Sequence, residues 1–66
     1  MRRELLTAVP PEEIREIAGK AKAEVSLNFE DAEPFHGMPR YRVTIEGPDD
    51  EVERFMERLR LARAGG

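Results

Sequence analysis

The chain has no cysteine and no glutamine, and only one histidine and one asparagine. Without cysteine there is no disulfide to staple the fold and no thiolate to hold a metal. The one histidine, His36, cannot build a zinc site alone. No apolar run approaches the length that spans a bilayer, and the N-terminal stretch lacks the apolar centre of a secretory signal. The expectation is a cytoplasmic protein with no membrane segment. The chain is also short. At 66 residues it buries roughly 60% of the surface its unfolded form exposes. A single domain over residues 1–66 must therefore be packed very well or borrow core from a partner.

Charge is what the chain has in quantity. Charged residues make up 38% of it, the net charge is −3, and nine arginines stand against two lysines. Dense charge with few labile residues suits a heat-stable protein, and a GC-rich genome would give the same arginine bias. The acidic balance argues against a nucleic-acid partner, which favours a basic patch.

The organising stretch runs from Ala23 to Gly47. Val25, Leu27 and Phe29 alternate with polar residues in one run, and Tyr41, Val43 and Ile45 do so in another. Side chains alternate across a strand, so each run has one apolar and one polar face. An antiparallel register that opposes Phe29 with Tyr41, Leu27 with Val43 and Val25 with Ile45 also sets Glu30 against Arg40. Between the runs, Asp31 to Pro39 carries two prolines and a glycine and reads as a loop. A rival arrangement closes Phe35-His36-Gly37-Met38 as a tight turn, which lengthens both strands and requires a bulge near Pro34.

Two helices flank this hairpin. Pro11 suits the first position of a helix, Glu12, Glu13 and Glu16 sit near its positive end, and Val9 and Ile14 are spaced as a hydrophobic staple. Ile14, Ile17, Ala18 and Ala21 then form an apolar stripe, with Lys20 and Lys22 near the negative end. Gly19 costs about 1 kcal/mol against alanine in a helix, so it either permits close packing on the sheet or ends the helix early. The last helix opens with Gly47 as cap, Pro48 first inside, and the acids Asp49, Asp50 and Glu51. Val52, Phe55, Met56, Leu59 and Ala62 give its stripe, Asp50 and Arg54 an i, i+4 pair, and Arg58, Arg60 and Arg63 its basic end. Ala64-Gly65-Gly66 should fray. Met1 to Val9 reads as a strand with apolar residues on both faces, which suits a central strand, or as a short helix.

The order is β-α-β-β-α, an α+β fold. Only one face of the hairpin is apolar, so both helices cover one side of an antiparallel sheet. A right-handed first β-α-β unit places strand 1 beside strand 3 and parallel to strand 2, a ferredoxin-like frame lacking its last strand.

Helix 1 with the strand after it, and the run Val43 to Val52, resemble parts of a KH domain, an RNA-binding module. That family clamps nucleic-acid backbone with a GxxG loop. The corresponding stretch is Gly19-Lys20-Ala21-Lys22, in which the first glycine matches and the second does not. The corner Ile45-Glu46-Gly47-Pro48-Asp49-Asp50 is similar to acylphosphatases. Their phosphate loop needs glycines and an arginine after the first strand, where this chain has Val9-Pro10-Pro11. The likeness to the sugar phosphocarrier protein lacks its histidine at the start of helix 1.

No residue is assigned to catalysis, to a cofactor or to a metal. His36 would need a partner held within hydrogen-bond reach, and no spacing brings Asp31 or Glu33 there, so it reads as a solvated loop residue. Asp49-Asp50-Glu51 lacks the spacing of a calcium loop and is explained by the helix dipole. Arg40 and Arg42 share the polar sheet face with Ser26, Asn28 and Thr44, a face suited to an anion, though pairing of Arg40 with Glu30 is the simpler account. Phe35 and Met38 are large and apolar on a loop, and either lid the core or meet a partner. The sequence therefore points to a non-enzymatic, homo-oligomeric interaction module. Its partner interface is Phe35, His36, Met38, Arg40 and Arg42, joined across a two-fold axis at the strand 2 edge. The alternative is a nucleic-acid-binding module with a KH-like half.

Overall fold

The computed structural model describes residues 1–64; of the three residues expected to fray, Ala64 is the last residue of a helix, and Gly65 and Gly66 lie outside the described residues. Its elements are β1 (Arg2–Thr7), α1 (Pro11–Ala21), β2 (Ser26–Phe35), β3 (Met38–Glu46) and α2 (Asp49–Ala64). The order is βαββα, and the sheet reads β1-β3-β2 with both neighbours antiparallel to β3. β1 and β2 are thus parallel with β3 between them, the strand order expected of a split β-α-β arrangement.

The N-terminal stretch is a strand, but an edge strand and not a central one. Leu5 packs against the core, whereas Leu6 points to the uncovered face with 46% of its surface exposed. The chain leaves β1 through a local turn in which the Val9 N–H donates to Thr7 Oγ1 at 3.1 Å. Val9 is then buried beside Ile14, the pair that staples the start of α1. Pro11 occupies the first helical position, and the Pro10 carbonyl accepts from the Ile14 N–H at 3.2 Å.

Gly19 plays neither expected part. The helix continues to Ala21, and a Cβ at Gly19 would meet nothing within 4 Å. Termination comes from Lys22, which is left-handed at φ 52°. The Ala23 N–H bonds the Ala18 carbonyl at 3.2 Å and the Lys22 N–H bonds the Gly19 carbonyl at 3.1 Å, the paired bonds of a Schellman ending.

In α2 the cap is Pro48, not Gly47, since the Pro48 carbonyl accepts the Val52 N–H at 3.0 Å. Gly47 serves a different need. Here β3 passes the start of β2 so closely that a Cβ would stand 2.9 Å from the Glu24 carbonyl oxygen. Val52, Phe55 and Leu59 are buried and Met56 is half-buried, but Ala62 is exposed, because the stripe turns off the sheet before the helix ends. Arg54 pairs with Glu51 at 2.7 Å and not with Asp50.

The hairpin register differs from the expected one by two residues. Phe29 faces Val43, Leu27 faces Ile45, Asn28 faces Thr44 and Glu30 faces Arg42. A slip of two leaves every side chain on its expected face. What sets the register is the tight turn His36-Gly37, where φ is 52° and 77°, both positive as a type I′ turn requires. Phe35 faces Met38, and the pairing shifts between Ala32 and Phe35, so the bulge falls at Glu33-Pro34.

The core is one cluster drawn from both helices and one sheet face: Val9, Ile14, Ile17, Val43, Ile45, Val52, Phe55 and Leu59. Val25, Leu27 and Phe29 pack against it, half-buried because β2 is an edge. The Arg15 guanidinium of α1 lies 4.8 Å from the Phe29 ring centroid and covers that side. Among the described residues no helix covers the other sheet face.

Candidate functional site

The two-residue turn holds the hairpin tip away from the rest of the fold. Phe35 and Met38 flank the turn as a directly opposed pair, 58% and 59% exposed. They do not fold back over the core. Opposed residues of an antiparallel pair point the same way. Met38 shares its parity with Arg40, Arg42 and Thr44, so this pair belongs to the uncovered face. The His36 ring meets Phe35 edge-on, with centroids 4.1 Å apart and planes at 74°. The Arg40 guanidinium lies 5.3 Å from the Phe35 centroid. Phe35 thus has both an imidazole and a cation against its ring.

Four of the five sequence-predicted interface residues, Phe35, His36, Met38 and Arg40, therefore come together. Arg42 lies two residues further along β3 on the same face, between Leu6 and Glu30. The expected pairing of Arg40 with Glu30 does not form, because the register slip places Ala32 opposite Arg40. Thr44, also on this face, is buried between Glu4 and Asn28 of the flanking strands.

A second junction was not legible in the sequence. The Glu51 carboxylate accepts the Glu24 N–H at 2.8 Å and pairs with Arg54, whose guanidinium also donates to the Lys22 carbonyl at 2.8 Å. It ties the α1–β2 connection to the first turn of α2. The main-chain bond from Glu24, aided by Arg54 and opposed by desolvation, holds the Glu51 carboxyl below the usual carboxylate range. Only the i, i+3 spacing of Glu51 and Arg54 hinted at it.

Two open grooves flank α2. One, of about 650 Å³, lies between α2 and β1. The other, of about 790 Å³, lies between α1 and α2, where Glu13, Glu16, Lys20 and Arg58 surround Ile17 and Leu61. Among the described residues no group of three or more His, Asp or Glu side chains is placed to hold a metal, and no helix is long and apolar enough to cross a membrane. The KH-like stretch Gly19-Lys20-Ala21-Lys22 forms the last turn and cap of α1.

The chain belongs to the CHP_AF_0576 family of uncharacterised proteins, which it matches over residues 1–66. No curated protein and no solved structure matches it.

Proposed function

We propose that the chain is a non-enzymatic interaction module of the cytoplasm that associates with its own copies and offers the hairpin tip to a further partner. The observation that carries this reading is the Phe35–Met38 pair. Two large apolar side chains are more than half exposed beside a tight turn, with His36 and Arg40 against the Phe35 ring. A chain this small gains nothing for its own core from such a pair. A sheet whose two edges are β1 and β2, each bonded to β3 alone, supplies the means of self-association.

The test is sedimentation equilibrium and thermal melting from micromolar to millimolar chain. Association should raise the mass above that of one chain and make the melting temperature climb with concentration, because a second copy is a ligand of the folded state. A single-chain mass with a constant melting temperature would refute the reading. Salt-dependent retention on heparin or single-stranded RNA would replace it with the nucleic-acid alternative.

A further inference from the structure

The two edges of the sheet are not equivalent. β2 is protected: it carries Glu30, Asp31 and Glu33, then Pro34, and its ladder breaks in the bulge beside that proline. Like charges, proline and bulges are the devices that keep an edge from pairing. β1, Arg2-Arg3-Glu4-Leu5-Leu6-Thr7, opens on two arginines but has no proline and an unbroken ladder, and its second half, Leu5-Leu6-Thr7, carries no charge.

The free groups of β1 can be assigned. Met1 and Gly47 exchange two main-chain bonds, Gly47 N–H to the Met1 carbonyl at 3.1 Å and Met1 N to the Gly47 carbonyl at 2.7 Å. Bonded and non-bonded pairs alternate along an antiparallel ladder. Arg3, Leu5 and Thr7 therefore also bond β3, while Arg2, Glu4 and Leu6 turn their N–H and C=O groups outward. Alongside runs the 650 Å³ groove, with Leu5, Val52, Met56 and Leu59 in its wall and Glu53 and Arg60 on its helix side. A strand running parallel to β3 on the far side of β1 would fill this space.

We infer that a second copy of this chain supplies that strand, its β1 pairing with β1 across a two-fold axis normal to the sheet through Leu5. This rests on the self-association proposed above and specifies the surface. Such an axis keeps each sheet face on its own side, so paired residue numbers must sum to an even value. An axis through Arg3 or Glu4 sets like charges directly opposite each other. The axis through Leu5 sets Leu5 against the second copy's Leu5 over the groove, Arg3 against Thr7, Glu4 against Leu6, and Arg2 against Ala8. No like charges meet. Glu4 and Leu6, whose main-chain groups point outward, become the bonded pair. An axis through Leu6 is also free of like charges but leaves a shorter ladder.

The helices agree with this choice. α2 lies on the β1 side of the sheet, so the axis brings two antiparallel copies of α2 together. Its first turns carry Asp49, Asp50, Glu51 and Glu53 with the one cation Arg54, and its later turns Arg58 and Arg60 with the one acid Glu57, which pairs with Arg60 at 2.6 Å. Antiparallel pairing sets the mainly acidic half of each helix toward the mainly basic half of the other, with Glu53 and the Glu57–Arg60 pair on the shared groove, so that Arg60 is shared between its own Glu57 and the second copy's Glu53. The result is a continuous six-stranded sheet with the protected β2 strands at its outer edges and both hairpin tips free.

The absence of cysteine makes cross-linking a clean test. Paired Cα atoms in an antiparallel ladder are about 4.5–5.5 Å apart, within the span a disulfide bridges. Leu5→Cys should form a covalent dimer under mild oxidation. Glu4→Cys mixed with Leu6→Cys should cross-link far more than either alone, and Asn28→Cys on β2 should not. Because Leu5 contacts the core, a second pair tests the helices on exposed residues. Glu53→Arg should weaken the dimer about tenfold, since symmetry repeats the contact, and adding Arg60→Glu should restore it. Phe35→Ser with Met38→Ser should leave the dimer intact. Cross-linking at Asn28→Cys, or loss of the dimer in the tip variant, would overturn the β1 pairing while self-association stands. A single-chain mass throughout would overturn both.

Discussion

The same substitution, glycine to alanine, should have opposite signs at two positions. At Gly47 the added methyl carbon would stand 2.9 Å from the Glu24 carbonyl oxygen and 3.4 Å from Val25 Cα and Cγ1. Close carbon–oxygen contacts in sheets settle at about 3.3–3.6 Å, so β2 must retreat by about 0.4 Å where it joins the sheet. The nearest obstacle is backbone, which cannot rotate aside as a side-chain tip does. Overpacking of this kind costs about 1–3 kcal/mol, and the smaller unfolded-state entropy of alanine returns about 0.4–1 of it. At Gly19 the methyl would meet nothing, so only the favourable part remains, about 0.5–1 kcal/mol. A chain of this length has a total stability of about 3–10 kcal/mol, and each kcal/mol moves the melting temperature by about 4–8 °C. Circular dichroism melts at one fixed concentration should place Gly47→Ala below the parent and Gly19→Ala above it. Gly47→Ala melting at or above the parent would refute the close approach of β3 to β2. Gly19→Ala melting below it would show that α1 packs its glycine after all.

Phe55→Ala should cost about 3–5 kcal/mol in urea unfolding, because Phe55 is the largest fully buried side chain; an unchanged midpoint would place it outside the core. Glu51→Gln tests the junction by its pH dependence. The Glu51 carboxyl is held below its ordinary range in the folded state, so its contribution is present above the usual glutamate value of ~4.3 and fades as pH falls through the lower folded-state value. The variant should be less stable than the parent at pH 7, and the two should converge in acid; a constant gap between them would assign the loss to packing. Lys22→Gly should raise stability by up to about 1 kcal/mol, since a left-handed non-glycine residue is strained and glycine gives back part of the gain in chain entropy; a lower melting temperature would mean that the Lys22 side chain stabilises the turn.

Alternation made the element order and the sheet faces readable, yet it could not choose between registers two residues apart. Val25, Leu27 and Phe29 point inward in both. The choice lies in His36-Gly37, whose positive dihedrals are affordable to glycine and tolerable to histidine, and in a bulge that absorbs Glu33 and Pro34. The slip then reassigned partners: Glu30 faces Arg42, and Arg40 is left to lie over Phe35. Leu5-Leu6 looked central because both faces of β1 are apolar. Leu6 instead lies exposed on the uncovered face, a cost no periodicity reveals. The Glu51–Glu24 tie was hidden for another reason, since one of its ends is a backbone N–H.

The strand order also dictates when each part of the sheet can assemble. The β2–β3 ladder closes across a two-residue turn, so its loop entropy is small and it can form early. β1 pairs with β3 from Thr7–Tyr41 to Arg2–Glu46, so it closes a loop of about half the chain or more, and among the described residues β3 is the one strand it joins. Such long-range pairing comes late in folding. β1 is therefore the last strand to dock and, bonded on one side only, the first to lose amide protection. Its exchange rate becomes a gauge of whatever lies against that edge.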